Sequence, residues 1–260
     1  MAFFQIEYSS EVLGQYRQVD VLYPDMDQVS PEEAMDTDIP VLYLLHGMGG
    51  NQNSWTSRTN LQRLVRKTNL IIIMPNSDNG WYTDTRYGVN YYRAICHELP
   101  KVMKRFFPNM TDKREKTFIA GLSMGGYGAF KLAMISNQFA FAGSFSGALY
   151  LDKSLRSNTE DDRNYWSGLF GSDEDFDASA NNLLEAAKEA DGKTKWYAWC
   201  GYEDFLYPAN EKAIADFRKL GMEIDYRNDH GTHDWYYWEK QVEVFLEMLP
   251  INYVKEERLS

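Results

Sequence analysis

The stretch EKTFIAGLSMGGYGAF, residues 115–130, decides how this chain is read. An apolar run rich in β-branched and aromatic residues leads into Gly121, and a run with helical spacing follows Ser123, so the segment reads as strand, sharp turn, helix. A serine on such a turn has a strained backbone and projects its hydroxyl above the sheet. Bulky side chains two residues before or after it would collide with the strand or the helix, and Gly121 and Gly125 meet that demand. A bare G-x-S-x-G is equally what a glycine-rich turn with an incidental serine looks like. The context tips the balance: a helix starting beside the hydroxyl aims backbone N–H groups at developing negative charge, which suits a nucleophile.

Working outward, the same strand and helix alternation fills most of the chain. IPVLYLLHG, NLIIIMPN, FAFAGSFSG, KWYAWCG and MEIDYRND are short apolar or β-rich runs of the kind a sheet covered on both faces requires. Between them WTSRTNLQRLVRKT, NYYRAICHELPKVMKRFF, PANEKAIADFRKLG and DWYYWEKQVEVFLEMLP carry helical spacing, with Pro100 expected to kink or break the second. The expected fold class is α/β, a mostly parallel central sheet with helices on both faces. FFQIEYSS and YRQVDVLYP read as an antiparallel opening pair, and the acid-rich DMDQVSPEEAMDTD after them as a solvated loop. From about 149 to 192 no strand is legible. A structureless stretch of that length is unexpected in a compact domain, so short helices lying over one face, a cap-like insertion, are expected there.

With 260 residues the chain suits a single domain spanning 1–260 that buries its core without disulfides or metals. Its two cysteines, Cys96 and Cys200, fall in different elements and read as reduced buried thiols, and no secretory signal or membrane anchor is legible at the N-terminus, so a cytoplasmic protein is expected. A net charge of -11 without a segregated basic cluster argues against nucleic acid as a partner, and no run is long enough to span a bilayer. Composition leaves a homo-oligomer open.

A serine nucleophile needs a general base, and that imidazole needs an acceptor that holds its tautomer. On a nucleophile of this strand-turn-helix kind the partners follow in the order acid, then histidine. Of four histidines only His230 and His233 lie downstream, both in NDHGTHDWYYWEK between the last strand and the last helix, which removes His46 and His97 as bases. For the acid, KWYAWCGYEDFLYP offers adjacent Glu203 and Asp204. Spacing alone chooses neither acid nor base. LLHGMGGNQNSW follows another strand, and its glycines free backbone N–H groups to turn inward, which nominates the main-chain groups of Met48 and Met124 as an oxyanion hole. Trp55, Trp81, Tyr82, Tyr127 and Trp235 lie on or beside these loops and are candidates to line a substrate cleft, although rings of this size more often fill cores. The two downstream histidines lack the cysteine or His-Glu spacing of a zinc site, so neither metal nor cofactor is expected.

Taken together, LLHGMGGNQNSW, MPNSDNGWYTDT, FIAGLSMGGYGAFKLA, WCGYEDFLY and GTHDWYYWEKQ resemble the tributyrin esterases of the esterase D group of α/β-hydrolases, over nearly the whole chain. The resemblance implies an α/β-hydrolase fold and carries the nucleophile to Ser123, the acid to Asp204, the base to His233 and the oxyanion donors to Met48 and Met124. It implies a serine carboxylesterase acting on short acyl esters through an acyl-enzyme. The wider group also includes S-formylglutathione hydrolases and feruloyl or acetyl-carbohydrate esterases, and a non-catalytic binding protein could keep the same fold.

Overall fold

The computed structural model describes residues 1–25, 32, 37–156 and 160–255. Most of the acid-rich segment expected to be a loop lies outside the described residues. Eight strands form one sheet: β1 (Ala2–Ser10), β2 (Gln15–Tyr23), β3 (Val41–Leu45), β4 (Ile71–Pro75), β5 (Thr117–Leu122), β6 (Phe141–Phe145), β7 (Lys195–Trp199) and β8 (Ile224–Arg227). Their spatial order is β1-β2-β4-β3-β5-β6-β7-β8. The β1 and β2 pairings are antiparallel and every pairing from β4 to β8 is parallel.

The central strands are buried on both faces, and their side chains sort by parity. Val41, Tyr43 and Leu45 of β3 join one apolar cluster while Leu42 and Leu44 join another; in β4, Ile71 and Ile73 go one way and Ile72 and Met74 the other. This is the period-two alternation of a pleated strand with a core on each side. Each such fully buried aliphatic side chain contributes about 1.5–3 kcal/mol, which is why these runs hold almost no polar residue.

The helices are α1 (Ser54–Arg58), α2 (Leu61–Val65), α3 (Tyr91–Arg93), α4 (Leu99–Phe106), α5 (Met124–Ser136), α6 (Lys153–Arg156), α7 (Glu160–Phe170), α8 (Asp173–Asp177), α9 (Leu183–Lys188), α10 (Tyr207–Lys219) and α11 (Trp235–Met248). Pro100 breaks nothing. It sits in the first turn of α4, where a missing N–H costs little, and a π-helical turn over Ala94–Glu98 joins α3 to α4 without a gap.

The connection from β6 to β7 contains α6 to α9. Its anchors are Leu169, Phe170, Phe176, Leu183, Ala186 and Ala187, all in the larger apolar cluster. Two backbone bonds, Arg86 N–H to Leu169 O and Tyr87 N–H to Gly168 O, tie it to the loop after β4. Cys96 and Cys200 are free and buried. Among the described residues no helix is long and apolar enough to cross a membrane.

Candidate active site

Ser123 stands between β5 and α5 with φ 52° and ψ -119°, a conformation that an L-residue adopts only when its surroundings enforce it. Three backbone bonds do so: Ser123 N–H donates to Phe145 O, and Ser123 O accepts from Tyr127 N–H and Ala148 N–H. Gly121 and Gly125 face each other across the turn, and an added Cβ on Gly121 would lie 2.5 Å from Gly125 O.

His233, in the loop between β8 and α11, brings Nε2 to 3.1 Å from Ser123 Oγ. Its Nδ1 lies 2.9 Å from Asp204 Oδ2 and 3.1 Å from Oδ1. A carboxylate accepts only, so Nδ1 carries the proton and Nε2 is left with a lone pair toward the hydroxyl. Asp204 has a fully covered side chain and also accepts from Leu206 N–H at 2.8 Å. The imidazole is gripped by Phe205 at 4.6 Å and, edge to face, by Trp238 at 4.8 Å, whose indole N–H donates to Ser146 Oγ.

The other pair that the sequence left open lies next door and is differently employed. Glu203 accepts from Gly231 N–H at 2.7 Å and meets His230 Nδ1 at 2.6 Å, with both side chains largely in solvent. Hydrogen bonding with His230 holds the Glu203 carboxyl below its ordinary range, and the same bond raises His230. Together with Tyr202 N–H to Asp229 O and Glu203 N–H to Gly231 O, this pair laces the loop bearing Asp204 to the loop bearing His233. Neither Glu203 nor His230 is hydrogen-bonded to Ser123 or His233.

The glycine loop after β3 lies against the serine: an added Cβ on Gly47 would come 3.3 Å from Ser123 Cβ. Met48 is half exposed and Met124 fully buried at the start of α5. His46, excluded as a base by chain order, is buried with both ring nitrogens engaged: Nδ1 donates to Gly47 O and Nε2 accepts from Ser77 N–H. Burial pulls its pKa down and keeps it neutral.

Of the five candidate rings, Trp55, Tyr82 and Tyr127 have essentially no exposed surface and Trp81 very little, while Trp235 is half-buried. Trp55 donates to Leu45 O and packs against Trp235 and Phe145. Tyr82 donates to His46 O and Tyr127 to Asn181 O, so both hydroxyls tie loops together. Sequence reasoning passed over Phe205, Trp238 and Asn79, which lie inside the segments it quoted but match no pattern that names a role. Among the described residues no group of three His, Cys, Asp or Glu side chains gathers as a metal site.

A serine on a strained turn between a parallel strand and a helix, with downstream acid and histidine on loops at the same end of the sheet, defines an α/β-hydrolase. The Esterase family model matches residues 10–248, and the chain belongs to that family. An acetyl esterase of Caldicellulosiruptor saccharolyticus is 30% identical, covering 93% of this chain and 96% of that protein. The S-formylglutathione hydrolase FrmB of Staphylococcus aureus superposes with a TM-score of 0.82 at 25% identity, covering 95% of this chain and 98% of that one. FphF, a fluorophosphonate-binding serine hydrolase of the same organism, gives 0.83 at 24% identity over 95% and 98% of the two chains. The protein is thus a carboxylic ester hydrolase of the esterase D and FrmB-like group.

Proposed function

We propose that this protein is a serine carboxylesterase for short-chain acyl esters, with Ser123 as nucleophile, His233 as general base and acid, Asp204 as the acceptor that orients His233, and the N–H groups of Met48 and Met124 as the oxyanion hole. One observation carries the reading: the unbroken chain from Ser123 Oγ through both ring nitrogens of His233 to the covered carboxylate of Asp204. Ser123 Oγ attacks the ester carbonyl as His233 Nε2 takes its proton, and the carbonyl oxygen becomes an anion facing the two N–H groups. The intermediate collapses as His233 returns the proton to the departing alkoxide, leaving the acyl group on Ser123. Water then repeats the sequence, releasing the acid and restoring the serine.

Support for short acyl groups comes from the likeness to an acetyl esterase at 30% identity. On that reading the acyl pocket is shallow and buries few methylenes, each worth about 0.8 kcal/mol. The likeness to FrmB supports a second reading, hydrolysis of S-formylglutathione, which uses the same groups on a thioester. A panel of p-nitrophenyl esters from acetate to palmitate, with S-formylglutathione alongside, tests both. The short-acyl reading expects kcat/KM to peak at about two to six carbons, consistent with a pocket that fills. A steady rise to long chains sinks it, and S-formylglutathione far ahead of every simple ester replaces it with the second reading. Fluorophosphonate labelling of Ser123 tests for turnover chemistry against a non-catalytic binding role.

A further inference from the structure

The loop after β3 that carries Met48 is not self-supporting. It turns through Gly47–Gly50, closed by Gly50 N–H to Gly47 O, with Gly49 at φ 73° in the third position, where such a turn demands glycine. In a turn of this kind the peptide between the second and third residues can flip, and the flip reorients the N–H of the third. Here that N–H, on Gly49, is captured by the side-chain oxygen of Asn79 at 2.8 Å. Asn79 therefore fixes the Met48–Gly49 peptide, the unit next to the one that carries the N–H proposed to meet the oxyanion, and so anchors the loop on which that N–H sits.

Asn79 is itself held with unusual firmness. It follows Asp78 and precedes Trp81 and Tyr82, all three with φ near 50° without being glycine. Each of these three conformations costs energy and persists only where the surroundings impose it. The clamps are present: Asp78 accepts from Arg17 at 3.0 Å and from Tyr91 at 2.7 Å, Arg17 also reaches Asn76 O, and Tyr82 donates to His46 O across to the glycine loop. The backbone carbonyl of Asn79 then accepts from the Tyr165 hydroxyl at 2.6 Å, and that same hydroxyl accepts from Trp81 Nε1 at 2.9 Å. Tyr165 belongs to α7 in the β6–β7 connection. One residue thus links that connection, through its carbonyl, to the glycine loop, through its side chain.

We propose that Asn79 is a positioning residue for the oxyanion hole, and that Tyr165 transmits the placement of the β6–β7 connection to it. The inference rests on the esterase reading above. The connection is then part of the catalytic geometry, because a change at α7 reaches the Met48 N–H without touching the triad. Asn79 lies at the surface, so its bonds govern the loop's orientation while adding little to global stability.

The test uses Asn79→Ala, Tyr165→Phe and the double variant, assayed with p-nitrophenyl acetate and with a trifluoromethyl ketone as tetrahedral-intermediate analogue. Outright loss of one oxyanion donor costs about 10²–10³ in kcat, so a donor that is merely less well aimed should cost about 10–100-fold. Asn79→Ala is expected to lower kcat by that factor with KM nearly constant, and to weaken the analogue by the same factor as kcat/KM. Tyr165→Phe, which removes one hydroxyl and spares the fold, is expected to act in the same sense by about 3–10-fold, and the double variant to be little worse than Asn79→Ala, because both act through one loop. Melting temperatures should hardly move. Full activity in Asn79→Ala, or lost activity with unchanged analogue affinity, overturns the proposal. Should Asn79→Ala fail to fold, Tyr165→Phe decides by the same two readouts. Fluorophosphonate labelling of the wild type separates the two levels: label at a residue other than Ser123 defeats the esterase assignment and this inference with it, whereas label at Ser123 with indifferent variants defeats only the role of Asn79.

Discussion

Gly125→Ala is the sharpest test of why the serine is set among glycines. The added Cβ would lie 2.6 Å from His46 O, 2.6 Å from Leu45 O and 2.8 Å from the Leu45 carbonyl carbon. All three are backbone atoms at the end of β3, so no side chain can swing away to make room. Ordinary contact begins near 3.4 Å, and the start of α5 and the end of β3 must therefore part by about 0.8 Å. Parting is resisted because β3 is paired with β5 up to Leu45 opposite Gly121 and is buried throughout. Overpacking of this kind costs about 1–3 kcal/mol, which in a chain of this size lowers the melting temperature by about 2–6 °C. The activity loss is expected to be larger than the stability loss suggests. The displaced carbonyls immediately precede Gly47 and Met48, and a misplacement approaching 1 Å between reacting groups can cost on the order of 10²-fold. Thermal unfolding by circular dichroism and kcat on p-nitrophenyl acetate measure both effects. Gly168→Ala is the control: it adds a Cβ within a helix whose only close neighbour is the Tyr87 ring at 3.3 Å, a half-exposed side chain free to shift, so the higher helix propensity of alanine should leave stability unchanged or improved by up to about 1 kcal/mol. A Gly125→Ala enzyme melting within about 1 °C of wild type and turning over at a similar rate would refute the steric account of the elbow.

Ser123→Ala and His233→Ala should each lower kcat by about 10⁴–10⁶ and by similar factors, since members of one triad act as a unit, while His230→Ala should stay within about tenfold. Steady-state kinetics on purified variants checks this, and a more damaging His230 change would mean that the base is misassigned. The Asp20 carboxyl is buried and pushed up to about 6 by desolvation, so the folded state holds a proton there that the unfolded chain releases above about pH 4. This group's contribution to stability therefore falls between about pH 4 and 6 and remains a penalty above, so Asp20→Asn should stabilise by about 1–3 kcal/mol at pH 7.5 and hardly at all at pH 4. Urea unfolding at the two pH values decides, and an equal gain at both would contradict a desolvated carboxylate.

The alternating architecture was legible because its causes are local. A strand buried on both faces must be continuously apolar, and IIIMP or VLYLL can hardly serve otherwise in a chain this size. The elbow was legible for the same reason, since its glycines answer a steric demand set within five residues, and chain order alone removed His46 and His97. What composition and spacing left open was every choice between neighbours. Glu203 and Asp204 are adjacent carboxylates, as His230 and His233 are nearby imidazoles, and nothing local separates them. The fold does so by direction: one acid turns inward under Leu206 to meet His233, while the other turns out to clamp Gly231 and His230. The same holds for the rings on the site loops, because whether Trp55 lines a cleft or fills a core depends on what another segment brings against it, here Phe145 and Trp235. Pro100 misled because a π-turn upstream absorbs it, an accommodation that packing permits and propensity does not foretell. Asn79 and Tyr165 had no signature at all, for a hydrogen bond between residues 30 or 86 positions apart is a property of the assembled loops alone.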